Sequence, residues 1–214
     1  MLIAIDGPAG SGKTTVSRLL AKKINFFYLD TGAMYRTLTL KCIRDDIDLN
    51  DEKAVSYAAQ NLSLKMEDDR MYLDGEDVTE EIRKPYINDV ISRIAANPGA
   101  RKVMVEIQRT IASNRDCVVE GRDITTVVFP GAEYRFYLDA DIEERIGRRH
   151  QELQQKGIVL SREELSESVK KRDHADMNRE VGALKKTEGV TYIDTTSLSI
   201  EQVVEKLASY ITQK

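Results

Sequence analysis

Eight residues near the start of the chain, Gly7-Pro8-Ala9-Gly10-Ser11-Gly12-Lys13-Thr14, constrain its fold more than any other stretch. Glycines at positions 7, 10 and 12 let the backbone turn tightly and aim several N–H groups at one point. Before them, Leu2-Ile3-Ala4-Ile5 reads as a short buried strand. After them, Val16, Leu19, Leu20 and Ile24 recur at helical spacing. A strand, a glycine-rich turn and a helix N-terminus in succession present unpaired N–H groups and partial positive charge where an anion can sit. Lys13 adds a mobile cation, and Thr14 offers a hydroxyl to a magnesium ion bridging two phosphates. The octapeptide thus matches G-x-x-x-x-G-K-[ST], a loop that cradles a nucleoside triphosphate, and Thr15 begins the helix body.

With 214 residues, 41 % of them hydrophobic, the chain can bury one main core and carry a small appendage. A formal net charge of −4 argues against a general binder of nucleic acid or anionic membrane and favours small-molecule partners. The two cysteines, Cys42 and Cys117, stand far apart and suggest neither a disulfide framework nor a zinc site. No leader pattern is evident, and no apolar run approaches the ~18 residues of a membrane span, so a cytoplasmic location is expected.

Further along, Phe26-Phe27-Tyr28-Leu29 reads as a second strand ending at Asp30-Thr31-Gly32, with a helix from about Ala33. Ligands of open α/β sheets gather at the carboxyl ends of strands, which directs attention to Asp30, Thr31 and Arg36. A small antiparallel unit follows. Leu62 to Met66 alternates, Glu67 to Arg70 makes a polar turn, and Asp74-Gly75 is a hairpin turn. Residues 60–97 therefore read as an insert, closed by an amphipathic helix (Ile87, Val90, Ile91, Ile94) that carries Ser92.

Arg101 lies on a helix from about Ala100 to Ala112, and the strand Cys117 to Glu120 stops at Gly121-Arg122-Asp123. Tyr134 to Leu138 is another strand. A helix started by Asp141 and Glu144 holds Arg145, Arg148 and Arg149 and ends at Lys156-Gly157, before a second capping box at Ser161 to Glu164. The arginine-flanked segment 147–160 between these helices has the makings of a mobile cover over phosphates. From Ser161 the helix continues to about Met177, and Arg172, Asp176 and Arg179 share a face if Arg179 is still helical, which suits either a ligand or a solvated surface. Val190 to Asp194 gives a last strand, and a capped helix with Ile200, Val203, Val204, Leu207 and Ile211 inward ends the pattern.

Four stretches together resemble the bacterial-type cytidylate kinases over nearly the whole chain: Ile5-Asp6-Gly7-Pro8 with its loop, Leu29 through Arg36, Glu120-Gly121-Arg122-Asp123, and Lys171-Arg172-Asp173 through Asn178-Arg179. The resemblance implies an α/β fold: a three-layer parallel-sheet P-loop kinase core (1–59 and 98–214), an inserted α+β monophosphate-binding subdomain (60–97) and a helical lid (147–160). It implies transfer of the ATP γ-phosphoryl group to CMP or dCMP with Mg2+, by a monomeric enzyme of pyrimidine metabolism. It further implies that Thr31, Arg101 and Asp123 read the cytosine, that Arg36, Arg122 and Arg179 hold the CMP phosphate, and that Ser92, Arg172 and Asp176 meet the ribose. Arg148 and Arg149 resemble arginines that close over the transferring phosphates, alongside Lys13. Thr31 stands where serine is common in the family, and keeps the hydroxyl. The alternatives are another small-molecule kinase of this fold, or a regulatory GTPase, against which the absence of an N-K-x-D motif counts. His150 and His174 form no recognisable dyad or metal cluster.

Overall fold

The computed structural model describes residues 1–67, 69–155 and 157–212. Along the chain run β1 (Leu2–Asp6), α1 (Lys13–Ile24), β2 (Phe27–Asp30), α2 (Thr31–Arg44), α3 (Glu52–Gln60), β3 (Leu64–Glu67), β4 (Arg70–Leu73), β5 (Glu76–Asp77), α4 (Pro85–Ala96), α5 (Pro98–Ala112), β6 (Cys117–Gly121), β7 (Tyr134–Asp139), α6 (Ile142–Gln155), α7 (Arg162–Met177), β8 (Thr191–Asp194) and α8 (Ile200–Thr212). A 3-10 turn at Glu81–Arg83 and a π turn at Ile124–Val128 complete the order. Two units emerge, Met1–Leu29 with Arg115–Lys214, and Asp30–Asn114.

In the first unit the expected strands form one five-stranded sheet in the order β2-β6-β1-β7-β8. Ile3, Ala4 and Ile5 are wholly buried at its centre, where β1 runs parallel to β6 (Ile3 opposite Val118) and to β7 (Ile3 opposite Tyr134). β8 pairs parallel with β7, Asp194 opposite Asp139. Strands covered on both faces need continuous apolar sequence, and every residue of β6 is buried. Parallel pairing also brings the carboxyl ends of β1, β6 and β7 to one edge, with Asp6 beside Gly121 and Tyr137. α1 packs on α8.

The hairpin of α6 and α7 carries a separate apolar cluster, Ile146, Leu153, Leu165 and Val169, with Ile142 and Ile158 against it. α6 ends where the Ile158 and Gly157 N–H groups donate to the Leu153 and Gln154 carbonyls (2.9 and 3.0 Å), a helix-ending motif at the expected glycine; Lys156 lies outside the described residues. α7 opens on the capping box expected at Ser161 and Glu164. It stops at Met177, so Arg179 is not helical.

The second unit holds the antiparallel β3-β4-β5 sheet and four helices. Asp74 and Gly75 take positive φ (51° and 85°), the conformation of a two-residue hairpin turn. Asp68, part of the preceding polar turn, lies outside the described residues. α2 and α5 begin two residues earlier than periodicity suggests. Asp30 caps α2 by accepting from the Ala33 N–H (2.8 Å), and Pro98 occupies the first turn of α5. The residues of the expected insert, 60–97, pack with α2, α3 and α5 rather than alone. Asn97 shows why. Its Oδ1 accepts from the Ala100 N–H (2.9 Å) and the Ser56 hydroxyl (3.1 Å), and its Nδ2 donates to the Glu52 carbonyl (3.0 Å). One side chain thus caps α5 and ties it to α3. Asn97→Ala should lower unfolding free energy by about 1–3 kcal/mol, read from urea denaturation; an unchanged midpoint would show that the bridge contributes nothing.

Candidate functional site

The glycine-rich loop joins β1 to α1 as its sequence requires. A Cβ on Gly7 would lie 2.1 Å from the Leu138 carbonyl oxygen, so only glycine lets the loop leave β1 there. α1 begins after Gly12 with no side chain capping it, leaving its first N–H groups for another partner. Lys13 is 5 % exposed and donates its Nζ to the Pro8 carbonyl (3.0 Å). Burial, followed by the charge of Arg122, pushes its ammonium down to about 7, while Glu120 acts the other way. Thr14 is exposed, and its hydroxyl donates to Glu120 Oε1 (2.8 Å), which also accepts from the Tyr28 hydroxyl (3.3 Å).

At the end of β6, Arg122 donates its Nε to Asp176 Oδ2 (2.7 Å), and Arg179 bonds the other oxygen of the same carboxylate. Three residues singled out in the sequence, from two separate stretches, are therefore held together by one carboxylate. Burial is the largest influence on Asp176 and pushes its carboxyl up, but Arg122, Arg179 and Arg172 together outweigh it and hold it below its ordinary value. Asp123 is buried, and its carbonyl accepts from the Val127 and Val128 N–H groups (2.8 and 3.1 Å).

The arginines of α6 divide. Arg145 is buried and reaches the loop, donating to the Ala9 carbonyl (3.0 Å). Arg148 donates to Glu144 (3.0 Å) and to the Thr195 hydroxyl and carbonyl (3.0 and 2.6 Å), and its Nη1 would stand 3.8 Å from a Cβ on Gly12. Thr195 in turn donates toward the Ser11 carbonyl (3.2 Å). Arg149 instead pairs with Glu152 along its own helix (2.6 Å).

Within the second unit, Thr31 is buried in the first turn of α2. Arg36 directs its Nε to Asn88 Oδ1 on α4 (3.5 Å), and Ser92 lies one turn further along the same face of that helix. Arg101, 2 % exposed, donates to the Ala95 carbonyl (3.2 Å) and lies over the Tyr35 ring (5.9 Å to its centroid).

Sequence reasoning did not give roles to Asp6, Glu120, Arg145, Asp173, Thr195 or Asn88. Asp6 and Glu120 follow the strand-end rule and were findable by it. A buried arginine has no local mark. Asp6 is wholly buried and holds the turn after Asp123: it accepts from the Ile124 and Thr125 N–H groups (both 2.8 Å) and the Thr125 hydroxyl (2.6 Å).

The sequence model of the cytidylate kinase family matches residues 3–213. The cytidylate kinase of Caldanaerobacter subterraneus subsp. tengcongensis is 48 % identical over 205 residues, 96 % of this chain and 92 % of that protein. That of Clostridioides difficile is 44 % identical over 211 residues, 99 % and 98 %. Among solved structures, the shikimate kinase of Bacteroides thetaiotaomicron matches with a TM-score of 0.51 at 14 % identity, covering 99 % of this chain and 98 % of its own, a likeness of fold.

Burial raises the Asp6 carboxyl from 3.8 to about 6 against the lowering effect of its Thr125 and Ile124 hydrogen bonds. The folded chain therefore binds this proton more tightly than the unfolded chain, so the contribution of Asp6 to stability falls as pH rises from about 4 to about 6. Asp6→Asn lacks this titration. The stability of wild type relative to Asp6→Asn should drop by about 1–3 kcal/mol between pH 4 and 7 in urea denaturation, and a constant difference would overturn the assignment.

Proposed function

The chain belongs to the cytidylate kinase family, and from that premise we propose that it transfers the γ-phosphoryl group of ATP to CMP or dCMP, giving CDP or dCDP and ADP. The observation that carries the reading is the Asp176 carboxylate with Arg122 on one oxygen and Arg179 on the other, in the same unit as the glycine-rich loop. Paired guanidiniums suit a phosphate with several anionic oxygens.

Phosphoryl transfer depends on alignment and charge neutralisation more than on covalent help from the protein. The loop N–H groups and Lys13 would hold the triphosphate of ATP, and Arg122 and Arg179 the acceptor phosphate. A buried Lys13 held near 7 gains its full charge when phosphate oxygens replace the water it has lost. The attacking oxygen of CMP needs no base, because the second pKa of such a phosphate is about 6. In this reading Arg36 also meets the acceptor phosphate, Thr31, Arg101 and Asp123 read the cytosine, and Ser92, Arg172 and Asp176 meet the ribose.

The Thr14 hydroxyl and Glu120 carboxylate are adjacent hard oxygen donors, which fits magnesium. Among the described residues no group of three or more His, Cys, Asp or Glu could hold a metal alone, so phosphate oxygens would complete the shell. When bound, the ion neutralises charge on the phosphates. No described helix is long and apolar enough to cross a membrane. The reading takes the protein as a cytoplasmic monomer, in keeping with its small-molecule substrates and acidic balance.

The cover, 147–160, would move at the far end of the α6–α7 hairpin, beyond the Arg145–Asp173 pair that ties the base of the hairpin to the loop. Closure excludes water from the γ-phosphate. Amide exchange should slow across 147–155 and 157–160 when a bisubstrate dinucleotide fills both sites, and identical protection with and without it would mean a static hairpin. In a panel of nucleoside monophosphates with ATP and magnesium, read as ADP release, CMP and dCMP should far outpace AMP, GMP and dTMP. Asp123→Ala should narrow the CMP over UMP preference by about 10–100-fold, the worth of a charged hydrogen bond. Equal rates with AMP would sink the proposal.

A further inference from the structure

Ala9 and Gly10 share a peptide bond within the glycine-rich loop, and the direction of that peptide decides what the loop offers an anion. In a trans peptide the carbonyl and the N–H point opposite ways. With the Ala9 carbonyl outward, the Gly10 N–H is available on the concave side; with the peptide reversed, an oxygen faces the anion and repels it. Gly10 sits at φ +77°, and glycine tolerates either orientation. Something outside the loop must select one.

Arg145 is placed to do so. Its Nη1 donates to the Ala9 carbonyl (3.0 Å) and to Asp173 Oδ2 on α7 (2.5 Å), while its Nε donates to the Ala140 carbonyl (3.1 Å). Arg145 and Asp173 are 6 % and 7 % exposed, so neither charge is released to water. The backbone of α6 also closes on the loop, since a Cβ on Gly10 would lie 2.9 Å from the Arg145 carbonyl oxygen. We propose that Arg145, oriented by Asp173, is a positioning residue that holds the Ala9–Gly10 peptide with its carbonyl outward and thereby keeps the Gly10 N–H for the triphosphate. The proposal rests on the assignment of this loop to ATP.

A guanidinium is needed because its planar fork makes these three bonds in fixed directions; an ammonium supplies the same charge without that geometry. Arg145→Lys therefore separates positioning from simple attraction of phosphate. Asp173→Asn keeps the shape of the partner and removes its charge.

The test uses the full chain with ATP and magnesium, and two readouts. In steady-state ADP release, Arg145→Lys should lower kcat/KM for ATP by about 10–100-fold and Asp173→Asn by less, with KM for CMP nearly unchanged, as expected for loss of one aligned donor to an anion. By NMR, the Gly10 amide resonance of wild type should shift when a non-hydrolysable ATP analogue binds, and the shift should be absent in Arg145→Lys. Retention of wild-type kcat/KM for ATP by Arg145→Lys would show that only charge matters and overturn the proposal. So would equal losses toward ATP and CMP with an intact Gly10 shift, the mark of a purely structural pair. Should Arg145→Lys fail to fold, Asp173→Asn decides by the same readouts. A wild type that binds the ATP analogue with the Gly10 shift but does not phosphorylate CMP would refute the acceptor assignment and leave the positioning role standing.

Discussion

Buried opposite charges, held at the carboxyl edge of a parallel sheet, are the constraint on which the first unit depends. Asp6, Lys13, Glu120, Asp123, Arg145, Asp173 and Asp176 are all buried there. Desolvating so many ions costs several kcal/mol each unless every one finds a partner, so stability alone does not explain them. What they do supply is direction. Asp176 sets Arg122 and Arg179 on its two oxygens, Asp173 sets Arg145, and Asp6 sets the turn beyond Asp123. Charges fixed in advance in a low-dielectric site stabilise a charged transition state without reorganising when the reaction occurs.

The same economy of side chains appears around the loop. Glycines give it the curvature an anion requires and leave it little of its own to hold that shape. Support comes from neighbours instead. Gly7 lies hard against the Leu138 carbonyl, Thr195 reaches the Ser11 carbonyl, and Arg145 takes the Ala9 carbonyl. Carbonyls held outward by these contacts leave N–H groups facing the other way. A flexible motif thus becomes a rigid one through residues far away in sequence.

The second unit solves a different problem, that of joining a small sheet to helices around a core that includes Met34, Leu38, Met71, Leu73, Ile87 and Ile94. Asp30, Asp51 and Asn97 each cap a helix, and Asn97 also bonds α3. Arg36 reaches Asn88 on α4, and Arg101 packs over Tyr35. Arg36 and Arg101, the two of these that the family reading proposes for the acceptor nucleotide, thus also tie helices of this unit together.

Local chemistry was enough to read much of this protein. Every strand of the main sheet showed as a short apolar run, the loop showed as spaced glycines before a lysine, and the capping box at Ser161 and the hairpin turn at Asp74-Gly75 showed as patterns of neighbouring residues. Each depends on interactions within a few positions, and such interactions are written directly in sequence. Parallel order also made strand ends informative, which is how Arg122 and Asp123 stood out. Other features had no such trace. Nothing near Arg145 marks it as buried against Ala9 and Asp173, and although the sequence placed the end of α7 at about Met177, as the structure has it, nothing in it showed that Arg179 beyond that end reaches back to Asp176. Which acid partners which base is settled by the packing of α6, α7 and the sheet edge, over separations of 28 and 54 residues, because ion pairs buried from water form only where tertiary packing brings their elements together.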